Sequence, residues 1–273
     1  VRIGERWVAK YTRDADAQSP AGGASSSIRD MARWLRFELA NGKYNGKQIV
    51  DRNALLATRV PNLVTGPIGS PTSRASFYEL GIGVGYDPAG RLRLSHSGAF
   101  AHGAATTVLM LPSENLGIVV LTNGMPIGLP ETIANDFIDI AEFGKVQRDW
   151  YAGYSRLMAA LYENPSELSG KTPPVKPAPA LPITAYTGTY ANAYYGNATV
   201  AAKNGHLSLL LGPHKKAFEL THWDANTFSY FPSGENAVGI SAVTFTTGAG
   251  ETHPVRLVIE NLNEHKLGTF TRP

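Results

Sequence analysis

Between residues 80 and 121 the chain alternates apolar and polar positions in short runs, its clearest strand pattern. Residues 80–86 (LGIGVGY) alternate small and apolar side chains. Residues 91–97 (RLRLSHS) alternate basic and apolar ones. Residues 106–111 and 118–121 make an apolar pair joined by Pro112-Ser113-Glu114-Asn115, a turn-forming set. Ahead of this block the period changes. Ile28, Met31, Ala32, Leu35 and Leu39 follow helical spacing, with Ser27 and Asp30 as an approximate capping box and Asn41-Gly42 as the stop. A second helix is predicted over 51–59, ended by Pro61, and 19–26 and 62–76 read as Pro/Gly/Ser-rich loops. Residues 2–11 have room for one short strand.

Beyond the strand block, Pro130 suits the first turn of a helix whose apolar face is Ile133, Phe137, Ile140 and Ala141, closed by Gly144. Residues 147–162 carry another helical period. Residues 164–182 (NPSELSGKTPPVKPAPALP) are Pro-rich and read as an extended spacer. Eight short strand-like runs then follow at about 8–12-residue spacing, with Asn204-Gly205 as a hairpin turn, the pattern of an antiparallel barrel or sandwich. The expected organisation is α+β: residues 1–163 as an antiparallel sheet with covering helices, 164–182 as linker, and 183–273 as a small all-β barrel-like domain.

Composition narrows the chemistry. The formal charge of +3 is spread over 273 residues without a basic run, which argues against a nucleic-acid partner. Cysteine is absent, so disulfides, thiol chemistry and Cys-based zinc sites are excluded. No run of ~18 apolar residues predicts a membrane span. The opening Val-Arg-Ile-Gly lacks Met and an apolar leader core, and is expected to be the interior of a longer protein.

At the centre of the strand block stands Ser95-His96-Ser97-Gly98. Polar groups between buried strands need partners, so the cluster is either a structural turn or a site. Ser97 and His96 cannot form a dyad by adjacency, because neighbours on a strand face opposite ways. Gly-x-Ser-x-Gly does not occur. His96 and His102 have no carboxylate between them, so no metal is expected there, and no cofactor is called for. Gly81-x-Gly83-x-Gly85 alternates within a strand rather than opening a helix; close packing of another element on that face is the better account.

Five segments together resemble the serine beta-lactamase and penicillin-binding-protein-like hydrolases, nearest to the class C, D,D-peptidase and esterase branch. They are Pro20-Ala21-Gly22-Gly23, residues 27–35 (SIRDMARWL), residues 81–86 (GIGVGY), His96-Ser97-Gly98, and Pro112 with residues 117–123 (GIVVLTN). Order and spacing agree over about residues 15–145. Residues 182–273 resemble the β-rich domain of unknown function that trails such hydrolases, through Tyr186-x-Gly188-x-Tyr190, His222-Trp223 and Phe270-x-Arg272.

The resemblance implies an acyl-enzyme mechanism on an amide or ester: a beta-lactam, a D-amino-acid peptide or a small ester. It implies that His96-Ser97-Gly98 is the third family motif. His96 stands where other members carry Lys, Ser97 is a substrate-positioning hydroxyl, and the N–H of Ala99 or Phe100 borders the oxyanion hole. The substrate-binding candidates are therefore His96, Ser97, Gly98, Ala99 and Phe100, with a small molecule or peptide as partner and a periplasmic or secreted location. The departure is that no Ser-x-x-Lys occurs in the 273 residues, so no catalytic nucleophile is assigned in this chain. Tyr-x-Asn occurs at Tyr162, Tyr190 and Tyr195, all after His-Ser-Gly and out of family order, and these are read as chance matches. The expectation is a C-terminal portion whose missing N-terminal segment completes the site. The alternative is an inactive binding or scaffold protein of the same fold. His222-Trp223 is expected to be a packed aromatic pair.

Overall fold

A computed structural model describes residues 1–272 except Arg13, Thr72 and Asn236, and excluding the side chain of Ala17. Thr72, within the loop expected over 62–76, thus lies outside the described residues. The described chain divides into two compact units, Val1–Leu161 and Tyr162–Pro273.

The first unit opens on a two-strand hairpin, β1 (Arg2–Ile3) with β2 (Arg6–Trp7). The expected single strand is thus two, because Gly4 takes a positive φ and turns the chain back. The Pro-Ala-Gly-Gly segment, expected as loop, forms one helical turn, α1 (Ser19–Gly22), with Pro20 in its first turn. Then come α2 (Ile28–Leu39), the hairpin β3 (Lys43–Tyr44) with β4 (Lys47–Gln48), and α3 (Arg52–Ala57). Ser27 caps α2 by accepting from the Asp30 N–H at 3.2 Å, and Asp51 caps α3 from Asn53 and Ala54.

Six strands form one antiparallel sheet with neighbours in chain order. They are β5 (Leu63–Gly66), β6 (Ser76–Glu79), β7 (Ile82–Tyr86), β8 (Leu92–Phe100), β9 (Ala104–Leu111) and β10 (Leu116–Thr122). Strand β5 corrects the loop expected at 62–76: four residues with a register shift beside Gly66 carry too little alternation to stand out. The register places Leu94 opposite Met110 and His96 opposite Val108, so these share a face. Leu94, Val84, Val108 and Met110 pack there against Leu35 of α2. The other face, with Leu109 and Leu111, packs on Ala134 and Ile138 of α4 (Leu129–Phe143). Helix α5 (Trp150–Ala159) is tied to α4 through Asp139, whose carboxylate accepts from Trp150 Nε1 at 2.7 Å and the Gln147 N–H at 2.9 Å.

The second unit begins in the Pro-rich stretch. Part of that stretch is anchored: Glu260 accepts from Ser166 Oγ and the Glu167 N–H, and Leu168 is buried. A one-turn helix α6 (Ile183–Tyr186) leads into eight strands: β11 (Gly188–Tyr190), β12 (Ala198–Lys203), β13 (His206–Leu211), β14 (Lys216–Asp224), β15 (Thr227–Tyr230), β16 (Ser241–Thr247), β17 (Pro254–Ile259) and β18 (Thr269–Thr271). All pair antiparallel in chain order. A single bridge, Ala191 with Thr271, nearly closes the sheet into a barrel. Asn204 and Gly205 both take positive φ, the turn their sequence predicted. Tyr186, Tyr190, Phe228 and Phe245 form the aromatic centre, with ring centroids 4.8–5.9 Å apart. The molecule is thus α+β, a helix-covered antiparallel sheet followed by a barrel-like sheet, as the sequence led us to expect.

Candidate functional site: the free edge of strand β8

Strand β8 is longer than its sequence pattern. The alternation fades at Ser97, but backbone pairing with β9 continues through Gly98, Ala99 and Phe100. On its other side, β7 pairs only from Tyr86–Leu92 to Gly83–Ser95. From His96 to Phe100, therefore, β8 has β9 on one side and no strand on the other among the described pairings. An antiparallel strand directs alternate backbone groups to its two sides, so one of the Ala99 and Phe100 N–H groups points to this free edge. The five residues singled out in the sequence lie together on this segment.

His96 and Ser97 face opposite sides of the sheet, as strand geometry requires. His96 is exposed, and its Nε2 lies 3.1 Å from the hydroxyl of Tyr78 on β6. The two rings are 6.1 Å apart. His96 also borders a hollow of about 230 Å³ between α2 and the sheet, lined by Met31, Trp34, Ile82, Val108 and Val119. Ser97 Oγ is 2.9 Å from Thr107 Oγ1, and Thr107 Oγ1 also donates to the His96 carbonyl at 3.3 Å. Thr107 is buried, so β8 is held from below by one hydroxyl that serves both residues.

Two glycines shape the segment. A Cβ on Gly98 would come within 2.8 Å of Thr106 Oγ1, so a side chain there would force the Thr106 hydroxyl to move. A Cβ on Gly83 would meet the Ser95 carbonyl at 3.1 Å. Gly81 and Gly85 face open space, which corrects the expectation that another element packs closely along that alternating glycine face. Gly81 instead supplies positive φ to the turn between β6 and β7. At the far end of β8, Phe100 approaches Gly22 of α1, where a Cβ would lie 2.9 Å from its ring. Beyond it, His102 stacks on Tyr11 with centroids 4.1 Å apart.

Charge is held away from this edge. Asp87 is buried in the turn before β8. Burial alone would raise its pKa, but hydrogen bonds from the Arg91 backbone and guanidinium, with that positive charge, lower it below the usual value. Arg93, on the α4 side, donates to Asn135 at 2.6 Å, and burial pulls its pKa down. Among the described residues no group of three His, Asp or Glu side chains is placed to hold a metal ion.

Sequence reading missed Tyr78 and Thr107. Tyr78 is 18 residues from His96 and reaches it only because β6, β7 and β8 stack as successive hairpins. Of the Tyr-x-Asn runs, Tyr190 is barrel core and Asn192 donates to the Leu267 and Thr269 carbonyls. Both are structural. His222 packs on Phe228 at 5.4 Å and donates from Nε2 to the Ala225 carbonyl.

Comparison with known proteins follows the two units. A family model described as a domain of unknown function, DUF3471, matches residues 172–268. A search of curated proteins finds no match. Among solved structures, the C-terminal domain of penicillin binding protein Rv0907 is 45% identical, over 39% of this chain and 100% of that one, with a TM-score of 0.34. The octameric penicillin-binding protein homologue from Pyrococcus abyssi is 13% identical over 90% of this chain, with a TM-score of 0.35. A structure titled SurE with D-Leu is 16% identical over 90%, with a TM-score of 0.29. This chain spans about half the length of the latter two, 47% and 50%. The family model described as Beta-lactamase matches residues 2–143, just over half of the chain and the whole of the six-stranded sheet, and the chain therefore belongs to the beta-lactamase family.

Proposed function

We propose that this chain supplies the His-Ser-Gly wall of the substrate cleft of a serine hydrolase. The enzyme acts through an acyl-enzyme on an amide or ester: a beta-lactam, a D-amino-acid peptide or a small ester. The observation that carries this reading is the five-residue free edge of β8, bearing His96 beside a hollow, in a chain of the beta-lactamase family. A free strand edge offers a substrate amide backbone donors and acceptors in extended geometry. His96 and whichever of the Ala99 and Phe100 N–H groups faces the free edge supply donors for a substrate carboxylate and a developing oxyanion. Ser97, held by Thr107, supplies a positioning hydroxyl close to the same edge.

The nucleophile comes from a Ser-x-x-Lys segment outside these 273 residues. The enzyme works in the periplasm or outside the cell, and the barrel is an accessory domain joined through residues 164–182. A second reading, an inactive binder of the same fold, is favoured by one observation, the absence of Ser-x-x-Lys from the chain. One experiment separates the two. The polypeptide encoded by the whole gene, and residues 1–273 alone, are assayed with nitrocefin, a p-nitrophenyl ester and a D-Ala-D-Ala peptide. The hydrolase reading expects turnover by the former, reduced at least tenfold by His96→Ala, and none by the latter. No turnover by either favours the binder. Turnover by residues 1–273 alone would overturn the placement of the nucleophile.

A further inference from the structure

His96 stands where relatives of this family carry a lysine, and a neutral imidazole is not an ammonium. Where the neutral form can donate to an anionic substrate group depends on which ring nitrogen holds the proton. The nitrogen that bears hydrogen is set by the bond made at the other one. In this chain that bond is visible: Nε2 is 3.1 Å from Tyr78 Oη. Nδ1 has no hydrogen-bond partner among the described residues.

We infer that Tyr78 is a positioning residue that fixes His96 as the Nδ1–H tautomer and so makes a neutral histidine a hydrogen-bond donor toward the cleft. The chemistry gives the direction. A phenol hydroxyl is the stronger donor, and an unprotonated imidazole nitrogen is a stronger acceptor than a phenol oxygen. Tyr78 therefore donates to Nε2, which must be bare, and the ring proton sits on Nδ1. The sheet explains why the contact can form. Tyr78 is registered opposite Gly83, and Gly83 opposite Ser95, the neighbour of His96. That register puts Tyr78 on the Ser95 face of the sheet, so its hydroxyl reaches His96 beyond the last paired residue of β7 rather than across the face. Because β7 stops pairing at Ser95, the His96 ring is free to meet the hydroxyl at the end of the sheet. On the other side Thr107 holds the His96 carbonyl, so backbone and ring are fixed from separate directions. Without the Tyr78 hydroxyl the ring is free to rotate and to adopt the Nε2–H form that isolated imidazoles prefer.

This inference rests on the reading of His96 as a cleft residue, but its test does not. Long-range ¹H–¹⁵N correlation spectra of residues 1–273, recorded at alkaline pH, report the tautomer from the ¹⁵N shifts of the two His96 ring nitrogens. The expected pattern is a protonated Nδ1 and an unprotonated Nε2, changing in Tyr78→Phe to a majority Nε2–H pattern. Tyr78→Phe keeps the ring and removes only the hydroxyl. A majority Nε2–H pattern in the unsubstituted chain would overturn the inference without needing any variant to fold. So would an Nδ1–H pattern that persists in Tyr78→Phe. Either result leaves the substrate assays to judge the cleft separately: turnover lost on His96→Ala with no tautomer effect would sink the role of Tyr78 alone.

Discussion

Thr107 illustrates how single residues hold the candidate edge. Its hydroxyl is buried and serves both Ser97 Oγ and the His96 carbonyl. Thr107→Val keeps the shape and leaves both without that partner. The expected cost is about 1 kcal/mol, the usual net worth of such a bond. Urea unfolding followed at the sheet would read it, and an unchanged midpoint would show that the hydroxyl pair does not form in solution. Asp87 sets a pH dependence. Its folded pKa is lowered, so the fold favours the ionised carboxylate. That stability is fully present above the ordinary value of 3.8 and is lost as pH falls through the lower folded value. Acid unfolding of the first unit below about pH 4 should therefore become shallower in Asp87→Asn, and an unaltered acid limb would contradict the argument.

Helix α2 was legible in the sequence because cap, period and stop agree: Ser27 caps, Leu35 reaches the core, and Asn41 and Gly42 leave through positive φ. Ser27→Ala should cost about 1 kcal/mol, read as faster amide exchange in the first turn of α2. Gly117 on β10 marks where α2 meets the sheet, since a Cβ there would lie 2.9 Å from Leu35 Cδ1 and 3.1 Å from the Leu109 carbonyl. Gly117→Val should cost about 1–3 kcal/mol through overpacking, and a neutral result would mean that helix and sheet are not in close contact. The barrel strands were legible for a different reason: each is short, alternating and bounded by a turn. Strand β5 was not, because a bulged four-residue edge strand resembles loop. Nor was the pairing of Tyr78 with His96. Contacts across two hairpins depend on register, and register is fixed by packing rather than by spacing along the chain.

At the scale of the molecule, each unit has a core of its own, and the barrel is tied shut near its ends. Arg272 donates to the carbonyls of Ala185 and Thr187, at the C-terminal end of α6, and to Tyr190 Oη. Its guanidinium carbon lies 5.0 Å from the Tyr190 ring centroid. Arg272→Met should lower the protection of β11 and β18 amides by about 1.5–3 kcal/mol, the range for hydrogen bonds to a charged group. Hydrogen exchange reads this unit without assuming one transition for both.

The central claim is that the free edge of β8 is the wall of the acyl-enzyme cleft. The most direct test is backbone ¹H–¹⁵N spectra of the whole gene product before and after acylation by benzylpenicillin. The account predicts the largest shift changes in this chain at His96–Phe100, with Tyr78 and Thr107 following. Acylation that leaves His96–Phe100 unmoved while shifting residues elsewhere in the chain would contradict it.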